Sequence, residues 1–331
     1  MSAAAGTAGG PTGASTLHGL RRELRERPLI PLTLLLAILV VALEIIRPGI
    51  VNELWLANTV KFAIPLAILA ACQTLTMLTG GIDLSVGIVA TMSAFVMATL
   101  VPHMDPALAI PLSLVPAMLA GLVSGIGVGV FRVHPLIMTL AVGLVVEGLL
   151  LVYQRFVLGT SAQIPEGLAW LATGRSFGIP NALLVFIPLA LLVGLTLKRT
   201  GFGRLLYAIG DNEGAARLSG VRVWQVLIAV YVLSALLAGI GGLVYIGLIK
   251  SAALSLAVPL LLPSVAAAVI GGTSIFGGRG GYAGTIVGAL ILQVLATMLT
   301  VLQMPEGTRR ILFGLIVLGV TALYVRITEE R

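Results

Sequence analysis

Asp83 stands in Leu78-Thr79-Gly80-Gly81-Ile82-Asp83-Leu84-Ser85-Val86-Gly87, where one apolar run ends and the next begins. A carboxylate at that position can accept hydrogen bonds from the free amides of a helix start and is favoured by the helix dipole. Contact with a solute, or a gating role, is the alternative. Glu147 lies in the middle of another run, Val142-Gly143-Leu144-Val145-Val146-Glu147-Gly148. A charge at such depth is costly and usually faces a bundle interior or a water-filled cavity. Glu147 therefore reads either as a neutral or hydrogen-bonded structural acid or as a wall residue of a solute path. Gln73, Thr76 and Gln293 also fall near the middle of apolar runs, Asn58 opens one of them, and Thr273 and Ser274 follow Gly271-Gly272. Uncharged polar groups of this kind suit the passage of a neutral polyol, but they also hold helices together.

Other chemistries are missing from the sequence. No Gly-x-x-x-x-Gly-Lys-Ser/Thr occurs, and none of Lys61, Lys198 and Lys250 follows a glycine. The chain thus has no phosphate-cradling loop of its own, and it does not read as an enzyme. His18, His103 and His134 are scattered and no His-Glu-x-x-His is present, so no metal site is expected. Ser124 precedes Gly125 in an apolar run, yet no histidine has an evident pairing position for an intramembrane protease. Cys72 stands alone inside an apolar run, which excludes an internal disulfide.

The polar segment from Lys198 to Val223 contrasts sharply with its neighbours. Within it, Asp211 or Asn212 can cap a short helix over Glu213 to Leu218, and Gly220 can end it. The small Ala215 and Ala216 would let a partner surface approach closely. Such a helix suits a plug for a groove on another protein; an ordinary cytoplasmic loop is the plainer reading.

The elements that must position these residues are membrane spans. Of the 331 residues, 58% are hydrophobic and only 10% charged, against about 25% charged in a soluble domain; the mean hydropathy is +1.10. Crossing the hydrocarbon core takes about 20 apolar residues. Candidate spans lie near Leu29–Ile46, Ala57–Thr79, Leu84–Val101, Ala107–Val130, Pro135–Phe156, Asn181–Leu197, Gln225–Ile249, Val258–Ile275, Tyr282–Leu302 and Arg310–Val325. The reading is an all-α polytopic membrane protein of about ten transmembrane helices. Very short connections at Gly80-Gly81 and Gly277-Gly278 also allow one or two re-entrant segments. The net charge of +7 could point to nucleic acid, but the basic residues sit in short clusters between apolar runs. With both termini cytoplasmic, most Lys and Arg fall on the inner side. Residues 1–28 then form a largely disordered cytoplasmic tail, 29–326 the transmembrane domain, 198–224 an inner loop and 327–331 a short cytoplasmic tail. The basic stretch Leu20–Arg27 precedes an apolar run with no small-x-small cleavage site after it, so Leu29–Ile46 reads as an uncleaved first span. The two Gly-Gly loops run in the same direction and hint at an internal duplication.

Three ordered segments carry a resemblance: Gly80-Gly-Ile-Asp-Leu-Ser-Val-Gly87, Tyr207-Ala-Ile-Gly-Asp-Asn-Glu-Gly-Ala-Ala-Arg-Leu-Ser-Gly220 and Ala266-Ala-Ala-Val-Ile-Gly-Gly-Thr-Ser-Ile-Phe-Gly-Gly-Arg-Gly280. With them, roughly Asn52 to Val325 resembles the sugar-type permease family of ABC importers. The resemblance implies a permease homodimer or heterodimer in the lipid of a bacterial inner membrane. It implies a separate ABC ATPase subunit that holds ATP and Mg, and a periplasmic or lipid-anchored solute-binding protein. It implies that the segment Gly210, Asp211, Asn212, Glu213, Gly214, Ala215, Ala216, Arg217, Leu218, Ser219, Gly220 is the coupling helix that docks on the ATPase. Where many relatives have Glu-Leu-Asp before the third segment, this chain has Leu261-Leu262-Pro263-Ser264. Exposed charges on the outer loops, Glu53, Arg155, Glu166, Arg175 and Lys250, are docking candidates for the binding protein. The competing reading is a stand-alone secondary transporter or channel for a small polar solute. It would need coupling acids deep in several spans, and only Glu147 is a clear mid-span acid.

Overall fold

The computed structural model describes residues 29–157, 162–305 and parts of 307–319. The described residues are mostly helical. Its helices are α1 (Leu29–Ile46), α2 (Glu53–Leu78), α3 (Val86–Leu100), α4 (Pro106–Gly129), α5 (Pro135–Phe156), α6 (Glu166–Thr173), α7 (Leu183–Arg199), α8 (Gly201–Asp211), α9 (Glu213–Leu218), α10 (Val223–Ile249), α11 (Leu261–Ile270) and α12 (Tyr282–Val301). A two-stranded hairpin, Arg175–Ser176 with Ile179–Pro180, joins α6 to α7, and a 3-10 turn, Val258–Leu260, precedes α11.

Among the described residues six helices are long and apolar enough to cross a membrane: α1, α2, α4, α5, α10 and α12. The pair α7 and α8, bent by 66° at Thr200, makes a seventh candidate. Two of the expected spans are shorter than expected. α3 has 15 residues and α11 has 10, whereas a full crossing takes about 20. Glycine and turn residues at Gly80-Gly81 delay the start of α3, and the chain before α11 is not α-helical. The expected tails 1–28 and 327–331, and most of the expected last span, lie outside the described residues.

α10 is the centre of the bundle. Val230, Tyr231, Ala238 and Ile246 along its length are fully buried, and it packs against α2, α3 and α4. Small residues make that possible, because helices in lipid associate through close backbone approach. A side chain on Gly121 would meet the backbone of Tyr231, and one on Gly125 that of Ile228. Gly242 faces the Ala90 carbonyl of α3 with no room for a Cβ. α1 is peripheral, with Leu43 as its one buried residue. α5 is also loosely held, touching only α3 and α4 among the main packing partners.

Connections sort into two groups at opposite ends of α2. At its start, the Arg175 Nη2 donates to the carbonyls of Glu53 and Leu54 (3.3 and 3.4 Å). At its end, the Gly278 amide donates to Leu78 O (3.1 Å). Replacing Gly242 with Val should drive α3 away from α10 and lower stability by about 1–3 kcal/mol, the usual cost of overpacking. Thermal denaturation of the detergent-solubilised protein measures it; an unchanged midpoint would contradict this packing.

Candidate functional site

The three sequence segments meet at the Leu78 end of α2. Gly210, in the last turn of α8, lies against Leu78 O and the Gly278 amide with no space for a Cβ. Gly277 and Gly278 have φ of +94° and +68°, a region that disfavours any residue with a Cβ. A side chain on Gly277 would strike Gly210, and Gly80 faces the Phe276 carbonyl. The loop 271–280 closes on itself through the Ser274 amide and Arg279 O (2.9 Å). It is fastened to α8 by the Tyr207 hydroxyl, which donates to Gly280 O (2.9 Å). Thr273 and Ser274 are buried in this junction. Thr74, Thr273 and Thr285 hydroxyls connect α2, the loop and α12 (2.8 and 3.5 Å).

α9 hangs from the junction. Asn212 is its cap, with its side-chain oxygen accepting from the Ala215 amide (2.9 Å). Gly220 closes it with φ +84°, and the Gly220 and Val221 amides return to Arg217 O and Ala216 O. Glu213 pairs with Arg217 one turn on and with Arg132 of the α4–α5 connection. All three side chains are over 40% exposed, so each pair contributes little to stability; their role is to fix where α9 sits. Ala216 is buried toward the bundle, while Asn212, Gly214, Ala215, Arg217, Leu218 and Ser219 face outward. The small face expected at Ala215 and Ala216 is therefore split, because the six-residue helix points them in different directions. Leu218 is the outward apolar residue, 92% exposed. A cavity of about 330 Å³ opens beside α9, lined by Thr79, Gly80, Arg132, His134, Glu213 and Tyr231 among others.

Asp83 is buried and is not the cap of α3, because the helix starts at Val86 and its cap position is Ser85. One carboxylate oxygen accepts from the Ser85 amide (3.0 Å) and the Ser85 hydroxyl (2.6 Å), and the other from the Ser234 hydroxyl of α10 (2.9 Å). The Gln73 amide group clamps the Asp83 backbone, donating to its carbonyl (2.8 Å) and accepting from its N–H (3.3 Å). The Leu84 amide donates to the Thr139 hydroxyl of α5 (3.0 Å). This knot joins α2, α3, α5 and α10. Thr76 is spent locally on Cys72 O and Gln73 O. Gln73, Thr76 and Asp83 are thus buried and hydrogen-bonded within the protein. Asn58 and Gln293 are half-buried, and Glu147 lies exposed on the outer face of α5, away from the interior that mid-span acids usually face. Ser234, Thr139 and Arg132 were not singled out in the sequence. Lone polar residues in the apolar α10 and α5 were the available signal for the first two.

Replacing Ser234 with Ala leaves one Asp83 oxygen unmatched and should cost about 1–3 kcal/mol, read by denaturation. Replacing Gly210 with Val should leave membrane insertion intact but shift α8 off Leu78. Spin labels on α2 and α9 measure the separation, and an unchanged distance would refute the backbone contact.

Residues 55–321 match the family model described as branched-chain amino acid transport system / permease component. The chain is 34% identical over 284 residues to the ribose import permease protein RbsC of Bacillus subtilis, covering 86% of this chain and 88% of that one. It is 32% identical over 298 residues to RbsC of Escherichia coli strain K12, covering 89% and 92%. It is 34% identical over 264 residues to the fructose import permease protein FrcC of Rhizobium meliloti, covering 77% and 73%. No solved structure matches the chain. With a match running from the first turn of α2 past the end of α12, the chain belongs to the branched-chain amino acid transport system / permease component family.

Proposed function

We propose that the chain is the membrane-spanning permease subunit of an ATP-driven importer that moves a sugar or sugar-like solute into a bacterial cell across its inner membrane. The observation that carries this reading is the outward face of α9, held by Asn212 and Gly220 at a junction where α2, α8 and loop 271–280 touch backbone to backbone. An ATPase that presses on α9 would push on the end of α2 through Gly210 of α8. Leu218 is the apolar knob for a groove on that ATPase, with Ala215 and Arg217 beside it. ATP and Mg belong to the ATPase subunit. Its closure would shift the permease between two packings.

The charges named for the binding protein, Glu53, Arg155, Glu166, Arg175 and Lys250, are all exposed and lie at the end of the bundle opposite α9. They support docking of a periplasmic or lipid-anchored solute-binding protein there. Phe177, fully exposed at the hairpin tip, adds an apolar contact that the sequence alone did not single out. Two permease copies, identical or related, are proposed to pair in the lipid. An exposed carboxylate in the middle of α5 is poorly matched to lipid, which supports Glu147 facing a water-filled gap between the copies. The family description names branched-chain amino acids, but the relatives named above are ribose and fructose permeases, and they favour a sugar.

Replacing Leu218 with Asp, or Ala215 with Trp, should abolish copurification of the ATPase while leaving expression and membrane insertion unchanged. Replacing Gly220 with Pro should do the same, because proline cannot adopt its positive φ. Retained ATPase in all three variants would refute docking through α9. Reversing Arg175 and Lys250 to Glu should lower solute uptake without changing ATPase association; unchanged uptake would remove this surface from the docking site.

A further inference from the structure

α11 is about 15 Å long, half the thickness of a hydrocarbon core of about 30 Å. Its C-terminal end is fixed at the junction, where Gly271 packs against Gly284 and Thr285 in the first turn of α12. Its N-terminal end therefore stops near the midplane. The chain arrives there from Lys250, which ends α10 in the left-handed region (φ +57°) at the opposite side. Residues 251–257 run between these two points without helix, followed by the 3-10 turn. Packing fixes their depth independently. Leu256 clusters with Ala94, Met97 and Ala98 of α3 and Leu243 and Ile246 of α10. The Ala257 amide donates to the Thr91 hydroxyl (3.0 Å), and Gly87 faces Ala257 and Val258.

One side of this stretch is anchored, and the other is open. Ala253, Ser255, Val258, Pro259 and Leu262 are exposed. Among the described residues, the amides of Ser251 to Ser255 donate to no protein group. Unpaired, non-helical backbone is not tolerated against lipid; it occurs at membrane depth only inside protein or beside water. Inside the bundle, Gln73, Thr76, Asp83, Thr91 and Ser234 have hydrogen-bond partners within the protein, whereas the buried Ser93 and Tyr231 hydroxyls have none.

We infer that residues 253–262 form one wall of the solute path in the membrane half opposite α9, and that this wall takes an uncharged, hydroxyl-rich ring. Free amides and the Ser255 hydroxyl can bond solute hydroxyls. Val258, Pro259 and Leu262 supply an apolar surface for the C–H face of the ring. No Asp, Glu, Lys, Arg or His occurs from residue 251 to residue 278, so this wall has no countercharge for a zwitterion such as an amino acid. The solute assignment rests on the import-permease reading, whereas the water-lined wall does not.

Single cysteines placed at Ser255 or Val258 in a Cys72→Ala background test both parts. The full transporter is kept in right-side-out vesicles and treated with a membrane-impermeant, cationic methanethiosulfonate. Only thiolate reacts, and each unit by which lipid raises a thiol pKa slows labelling about tenfold. Both cysteines should therefore react many-fold faster than controls at Ile38 and Leu191. Rates equal to the controls would overturn the wall, with Ala253→Cys as the substitute if either variant fails to insert. Ribose or fructose should slow the labelling. Protection by leucine instead, or by none of the three, would overturn the solute class. ATPase copurification is read on the same membranes. Its loss from the parent chain with fast labelling intact would sink the importer reading and leave the wall standing.

Discussion

Backbone-to-backbone contact at Gly210, Leu78 and Gly278 is the constraint on which the rest of the arrangement depends. Peptide groups that touch leave no side chain to bend and no gap to absorb a displacement. The Gly278 amide is satisfied by Leu78 O, so separating the two would expose both groups to an environment that charges heavily for unpaired backbone. Three segments far apart in sequence are thereby held as one mechanical unit, and the short α9 extends from it as the exposed part.

Above the junction, a polar network ties the interior together. Asp83 takes three hydrogen bonds from Ser85 and Ser234, and Gln73 and Thr139 secure the backbone around it. A buried polar network with its members matched specifies one arrangement of helices. The Gly-mediated packing of α10 against α3 and α4 acts in the same direction. Rigid-body movement of the bundle, and change at its loosely held margins on α1 and α5, are what this construction leaves available.

Much of the fold was legible because membrane spans are written in long apolar runs. α1, α5 and α12 lie close to the ranges read from the sequence. α3 and α11 are shorter than the expected spans, since hydropathy registers the apolar Val258 to Leu260 as readily in a 3-10 turn as in an α-helix. Hydrogen-bonding geometry, not composition, separates those cases. The cap at Asn212 and the stop at Gly220 followed from local turn chemistry, which depends on neighbouring residues alone. The outward position of Glu147 and the inward position of Ala216 were not legible. Each depends on which neighbour covers a helix face, and a single sequence holds no direct record of that. The convergence of the glycine segments was equally hidden, because their types announce tight backbone but not which backbone they meet.

The corner at Thr200 has a mechanical consequence. α7 and α8 meet there at 66°, and the corner is stapled from both sides. The Thr200 hydroxyl donates to Thr196 O (2.7 Å) and accepts from the Gly203 amide (3.1 Å), while Gly203 is pressed against the carbonyls of Thr196 and Leu197. A joint so braced resists bending and can pass torque between the two helices. Force arriving at α9 and passing through α8 would tilt α7, whose far tip adjoins the Phe177 hairpin. The bent pair is then a bell crank, with α8 as the short arm at the junction and α7 as the long arm reaching the opposite end of the bundle.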